Sequence, residues 1–186
     1  INFVTVGTER VRIDSSGNVG IGVTDPNNHL MVGGSTGGDI AVARTDTSIS
    51  DTDSLGSILF KGKDDGGSGV YGIGARIQAL ATEAWNEATS EGTSLNFYTT
   101  DNGSATHDLR MTIDDNGRVG FGVSDPDSFL EIKATGDNSQ PLFRIRNSSD
   151  TQMVEIATNG SGVPHLGIGN ALGSTKISLS SGGSSF

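Results

Sequence analysis

Short apolar runs alternate with polar residues along most of this chain, and Gly, Asn, Asp or Ser closes each run. A period of two over a few residues marks a strand with one buried face. Residues 11–13 show it, residues 15–18 then make a turn, and Val19-Gly20-Ile21-Gly22-Val23 alternates apolar residues with glycine. The pattern predicts a hairpin with one glycine-lined face. Residues 111–113, a turn over 114–117 and a strand over 119–123 predict a second hairpin; Asn116-Gly117 is a strong turn pair because both residues tolerate positive φ. Asp25-Pro26 and Asp125-Pro126 are expected to end the glycine strands and turn the chain between layers, since proline lacks an N–H and restricts its predecessor.

Strands are also expected from Leu30 and Leu130, and over residues 57–61, 72–79, 94–99, 153–156, 165–168 and 175–179. Residues 39–44 resemble residues 141–146 in position and character. The stretch 79–88 has good helical propensity. It is read as a strand that runs into a loop near Glu83, with a short helix as the alternative.

The chain also repeats itself. From Ile13 to Val32 it matches Ile113 to Ile132 at a constant offset of 100, without insertion or deletion. The phase predicts the end of one unit over 1–33, a complete unit over 34–133 and a partial third unit over 134–186. It also predicts that the segment comes from a longer polypeptide. A period this long exceeds that of simple solenoids, so each unit should hold several strands. Glycine at 20, 22, 120 and 122 would ordinarily weaken a strand. The expectation is that another chain or sheet of the same assembly approaches that face, while Val19, Ile21, Val119 and Phe121 fill the core.

Composition sharpens this reading. Only 33% of the 186 residues are hydrophobic and 28 are glycine, so any core is thin or shared between chains. Oligomerisation is the natural remedy for units that bury little apolar surface alone. The net charge of -10 and the scattered basic residues argue against nucleic acid and anionic membranes as partners. No apolar run approaches the length that spans a bilayer as a helix, which argues against membrane insertion. The absence of cysteine excludes disulfides, thiolate metal sites and cysteine nucleophiles.

The run from Glu9 to Pro26, through Arg12-Ile13-Asp14 and Val19-Gly20-Ile21-Gly22, resembles a repeat of bacteriophage tail fibres and related virion fibres. Segments like 55–60, 75–79 and 95–99 precede that signature in the same order in such units. Val23 and Val123 depart from the family, which commonly has Thr there, and Thr112 and Arg118 depart in the second copy. The resemblance implies an all-β, repeat-built fold of short strands and Gly-rich turns, intertwined or packed as an elongated homotrimer. It implies a shaft or knob for host attachment on the virion surface. Its partners would be other fibre or baseplate proteins and a host surface glycan. An intramolecular chaperone domain that assists trimerisation often follows such repeats.

Candidate chemistry is sparse. His29, His107 and His165 form no ligand motif, although one His per chain could meet on a threefold axis. Asp14, Asp64, Asp65, Asp114 and Asp115 lie near glycines but complete no calcium loop, and read as turn residues. Gly20-Ile21-Gly22 lacks the rest of a dinucleotide fingerprint. Trp85, Tyr71 and Tyr98 are the candidate glycan contacts, because an aromatic face offers apolar contact beside a polar handle. Glu83, Glu87 and Glu91 are the carboxylates a glycan-degrading enzyme would need. The reading assigns no catalytic residue, metal or cofactor. Its rivals are a tailspike-like glycan depolymerase and a bacterial surface adhesin or filament.

Overall fold

The computed structural model describes residues 1–63, 70–86, 89–133, 143–150, 152–158 and 164–168. The architecture is all-β and mostly antiparallel, with no helix among the described residues. The chain divides into two compact units, Ile1–Thr45 and Asp46–Phe186.

The first unit holds one sheet in the order β1 (Asn2–Thr5), β2 (Thr8–Ile13), β3 (Val19–Ile21), β4 (Leu30–Val32). The β2–β3 pair is the expected antiparallel hairpin, whereas β4 pairs parallel to β3. The chain therefore crosses over within a single sheet after Pro26 instead of passing between layers. The glycine strand also stops at Ile21, two residues earlier than its alternation predicts, because Gly22 turns out of the strand at φ 71°.

The second unit holds a six-stranded sheet and a three-stranded sheet. The larger consists in sequence of β5 (Ser54–Lys63), β6 (Tyr71–Ala81), β7 (Thr93–Thr100), β8 (His107–Ile113), β9 (Val119–Phe121) and β10 (Leu130–Ile132). Each strand pairs with the next, and only β9–β10 is parallel. The smaller is an antiparallel meander of β11 (Phe143–Arg146), β12 (Gln152–Thr158) and β13 (Pro164–Ile168). Helical propensity after Ala79 yields to the sheet: β6 runs to Ala81 and a loop follows. Residues 39–44 form no strand despite their alternation. The expected strand over 175–179 lies outside the described residues, as do residues 141 and 142.

The two sequence copies share one pairing scheme. Within the hairpin and its parallel strand, Val11, Gly20 and Ile21 pair as Met111, Gly120 and Phe121 do, shifted by 100. The likeness extends upstream of the sequence repeat. Asn2, Phe3 and Val4 face Arg12, Val11 and Glu9 with a bulge after Phe3, and Asn96, Phe97 and Tyr98 face Thr112, Met111 and Leu109 with a bulge after Phe97. A bulge re-aims a strand and resists register slip, so its recurrence marks β1 as the counterpart of β7.

Candidate functional site

Register sorts the six-stranded sheet into two unlike faces. Residues paired across neighbouring strands share a face, and those two apart along a strand share it too. One row runs Ile58, Ile77, Phe97, Met111, Phe121, Ile132, and the next row on that face runs Gly56, Ala79, Leu95, Ile113, Val119, Leu130. The opposite face carries Ser57, Gln78, Asn96, Thr112, Gly120 and Glu131.

Burial is the reverse of a usual one-sided sheet. Thr112 is 1% exposed and Asn96 5%, whereas Phe121 is 41% exposed, Ile58 54% and Leu130 58%. Ala81 is the one buried hydrophobic residue among those described. Val19 and Val119 are half-buried and Ile21 is exposed. Within one chain Val19 and Ile21 in the first unit, and Val119 and Phe121 in the second, therefore each line an open apolar face of their own sheet and fill no core.

The crossover explains which face is covered. Gly20 and Gly120 are buried, and a Cβ at Gly120 would lie 2.6 Å from the Val123 carbonyl oxygen of the same chain. Gly20 meets the Val23 carbonyl and Pro26 in the same way. Gly22 and Gly122 both sit at φ 71° against the carbonyls of Gly33 and Lys133, the latter 2.5 Å from where a Cβ would be. The close neighbour at these glycines is thus the same chain, its crossover at Gly20 and Gly120 and the residue after β4 or β10 at Gly22 and Gly122, in place of the expected second chain or sheet. The crossover lies on the polar face and buries Pro26 and Pro126. The buried polar groups are paired: the Thr112 hydroxyl donates to Asn96 Oδ1, Asn96 Nδ2 donates to Ser94 Oγ at 3.2 Å, and Gln78 Nε2 donates to Oγ of exposed Ser54 at 2.9 Å. Pairing of this kind makes their burial tolerable.

An aspartate holds each hairpin turn. Asp14 Oδ1 accepts the backbone N–H groups of Ser16 and Asn18, both at 2.8 Å, and Asp114 Oδ1 accepts those of Asn116 at 3.0 Å and Arg118 at 2.7 Å. The second oxygen takes Asn18 Nδ2 at 3.1 Å in one copy and Arg118 Nε at 2.7 Å in the other. The Asn18 backbone N–H is the chief cause that lowers the Asp14 pKa. For Asp114 the largest influence is desolvation, which raises the pKa, but the Arg118 backbone N–H and guanidinium together outweigh it and the net shift is downward. A lowered folded-state pKa stabilises the fold above the ordinary value of 3.8, and that contribution is lost as pH falls through the folded value. Asp114→Asn is therefore expected to melt below the parent at neutral pH. The gap should close in melts run progressively below pH 3.8.

The three aromatic candidates do not share a site. Tyr71 is exposed at the start of β6, opposite Lys63. Tyr98 pairs with Arg76, whose guanidinium carbon sits 4.3 Å from the ring centroid, and His107 meets the ring edge-on at 5.4 Å. The covered Tyr98 face is engaged within the chain. Trp85 lies beyond the other end of β6, in the loop to β7. Its backbone N–H donates to Ile49 O at 3.0 Å, and its indole N–H donates to Gly92 O at 3.2 Å.

In comparisons with known proteins, no family model and no curated protein matches the chain. The site must therefore be read from its own chemistry. Among the described residues, no group of three or more His, Cys, Asp or Glu could hold a metal ion. His29 is exposed in the first unit, His107 belongs to the second, and the His165 side chain lies outside the described residues, as do Asp64, Asp65 and Glu87. Glu83 accepts the Gly92 backbone N–H at 2.8 Å and so braces its own loop. Glu91 lines a cavity with Trp85, Asn86, Asp46, Thr47 and Ile49. Sequence reasoning missed those cavity partners, because the link between 46–53 and the loop after Ala81 is made by backbone groups.

Proposed function

We propose that this chain is a structural segment of a virion fibre of the phage tail fibre kind, repeat-built and assembled as a homotrimer on the virion surface. The supporting observation is the six-strand apolar face. Of its twelve aligned positions, Ile58, Leu95, Phe121 and Leu130 are exposed and the others only half-buried, while Gln78, Asn96, Thr112 and Gly120 on the polar face are buried. Fully burying one Leu, Ile or Phe side chain contributes about 1.5–3 kcal/mol, and these side chains are only partly buried within the chain. Contiguous apolar surface of this extent marks an interaction site. Three copies that turn this face inward would share the core that one copy lacks.

The role that follows is mechanical and multivalent. A stiff segment holds attachment points away from the particle, and linked weak contacts with a host surface glycan act together. Other fibre or baseplate proteins would be its neighbours. No catalytic step is assigned to it. Immunogold labelling with antibody against residues 95–133 tests the placement: gold on fibres of purified particles from the source culture is expected. Gold confined to the cell envelope would replace the fibre with a bacterial surface filament.

A further inference from the structure

We infer that the cavity at Trp85 is a subsite for one neutral sugar ring. The inference rests on the attachment reading only for the use to which such binding is put.

The loop from Thr82 to Gly92 is fastened at several points. The Ala81 N–H donates to Asp53 O and the Thr52 N–H to Ala81 O, both at 2.9 Å. The Thr82 N–H donates to Gly92 O at 3.0 Å, and Asn86 and Ser90 exchange N–H bonds at 3.1 and 3.2 Å. Between this loop and the preceding segment lies a cavity of about 160 Å³ lined by Asp46, Thr47, Ile49, Trp85, Asn86 and Glu91. That volume is below the range of about 300–1,000 Å³ that holds drug-sized ligands, so the ligand is a single ring.

The lining states the ring's chemistry. Both N–H groups of Trp85 are already bonded within the protein, so what Trp85 adds to the cavity is apolar ring surface. Such a surface packs on the C–H face of a pyranose. Thr47, Asn86 and Glu91 bring a hydroxyl, an amide and a carboxylate, a mixed set of donors and acceptors that suits several hydroxyl groups in one plane, while the Asp46 carboxylate is engaged within the chain, where its Oδ1 accepts the Ser48 N–H at 3.1 Å. Among the described residues no basic side chain lines the cavity, and the chain carries a net charge of -10. An acidic sugar would therefore be repelled, and the class is narrowed to neutral hexoses and N-acetylhexosamines.

Trp85 is the only tryptophan in the chain, so intrinsic fluorescence reports on this cavity alone. The full chain, in its native assembly state, is titrated with the methyl glycosides of glucose, galactose, mannose and N-acetylglucosamine, and separately with methyl glucuronide, which carries a carboxylate on the same single ring. A saturable shift in the millimolar range with at least one neutral glycoside and none with methyl glucuronide is the expected result. By calorimetry, Trp85→Ala should weaken that binding about tenfold. Asn86→Ala, which leaves the backbone pair with Ser90 in place, should weaken it as well. Glu91→Gln should retain the neutral sugar and narrow its preference over methyl glucuronide, a change that a purely structural role would not produce. The assignment is overturned by the absence of a saturable shift with any neutral glycoside, or by methyl glucuronide binding as well as they do. Native mass is read on the same samples, so a chain that assembles without binding sugar separates failure of this subsite from failure of the fibre reading.

Discussion

Gly120→Val is expected to cost about 3 kcal/mol and to lower the melting temperature by roughly 10 °C. The cause is local. Its Cβ would fall 2.6 Å from the Val123 carbonyl oxygen, a backbone atom that cannot swing aside as a side-chain end can. The crossover would have to lift from the polar face, and fully buried Thr112 and Pro126 would lose their cover. Gly72→Val is the matched control, because nothing lies within 4 Å of a Cβ there. Thermal melts of both variants should show the loss at Gly120 alone; equal melting temperatures would remove the crossover explanation of the repeated glycines.

Phe121→Asp is expected to abolish association while leaving the single-chain fold intact. Phe121 is already 41% exposed in one chain, so a carboxylate there is hydrated when the chain is alone. In a shared core the same substitution brings an unpaired charge from every copy into apolar surroundings, at several kcal/mol each. The dissociation constant should rise by a factor of about a thousand or more. Sedimentation should show single chains whose circular dichroism still reads as β. A variant that associates as well as the parent would place the interface elsewhere.

The hairpins, their turns and the glycine strands were legible because each is local: alternation sets the strand, and Asp14 or Asp114 with the glycine that follows sets the turn. The neighbour of the glycines was not legible. Parallel pairing of β3 with β4 is a nonlocal fact, and nothing in the local pattern of Val19 to Val23 says that the chain's own carbonyl will lie over Gly20. Strand β1 was hidden for a related reason. Two residues link it to β2 where six link β7 to β8, so the constant offset of 100 breaks just where β1 would have been matched to β7. Residues 39–44 show the converse, alternation with no strand formed.

The aromatic candidates show the same division. Composition could single out Trp85 as the lone tryptophan in a loop between strands. Only the fold reveals that Tyr98 has Arg76 over its ring, that Tyr71 stands apart at the far end of β6, and that Asp46, Thr47 and Ile49 complete a cavity at Trp85. Likewise Glu83, Glu87 and Glu91 looked alike in sequence, yet Glu83 binds its own loop while Glu91 faces the cavity.

The central claim is that the apolar face from Ile58 to Leu130 is a shared interior. Light scattering on the native chain tests it most directly. The account predicts a single species at three times the chain mass of 19.1 kDa, persisting on dilution. A single species at one chain mass would contradict it.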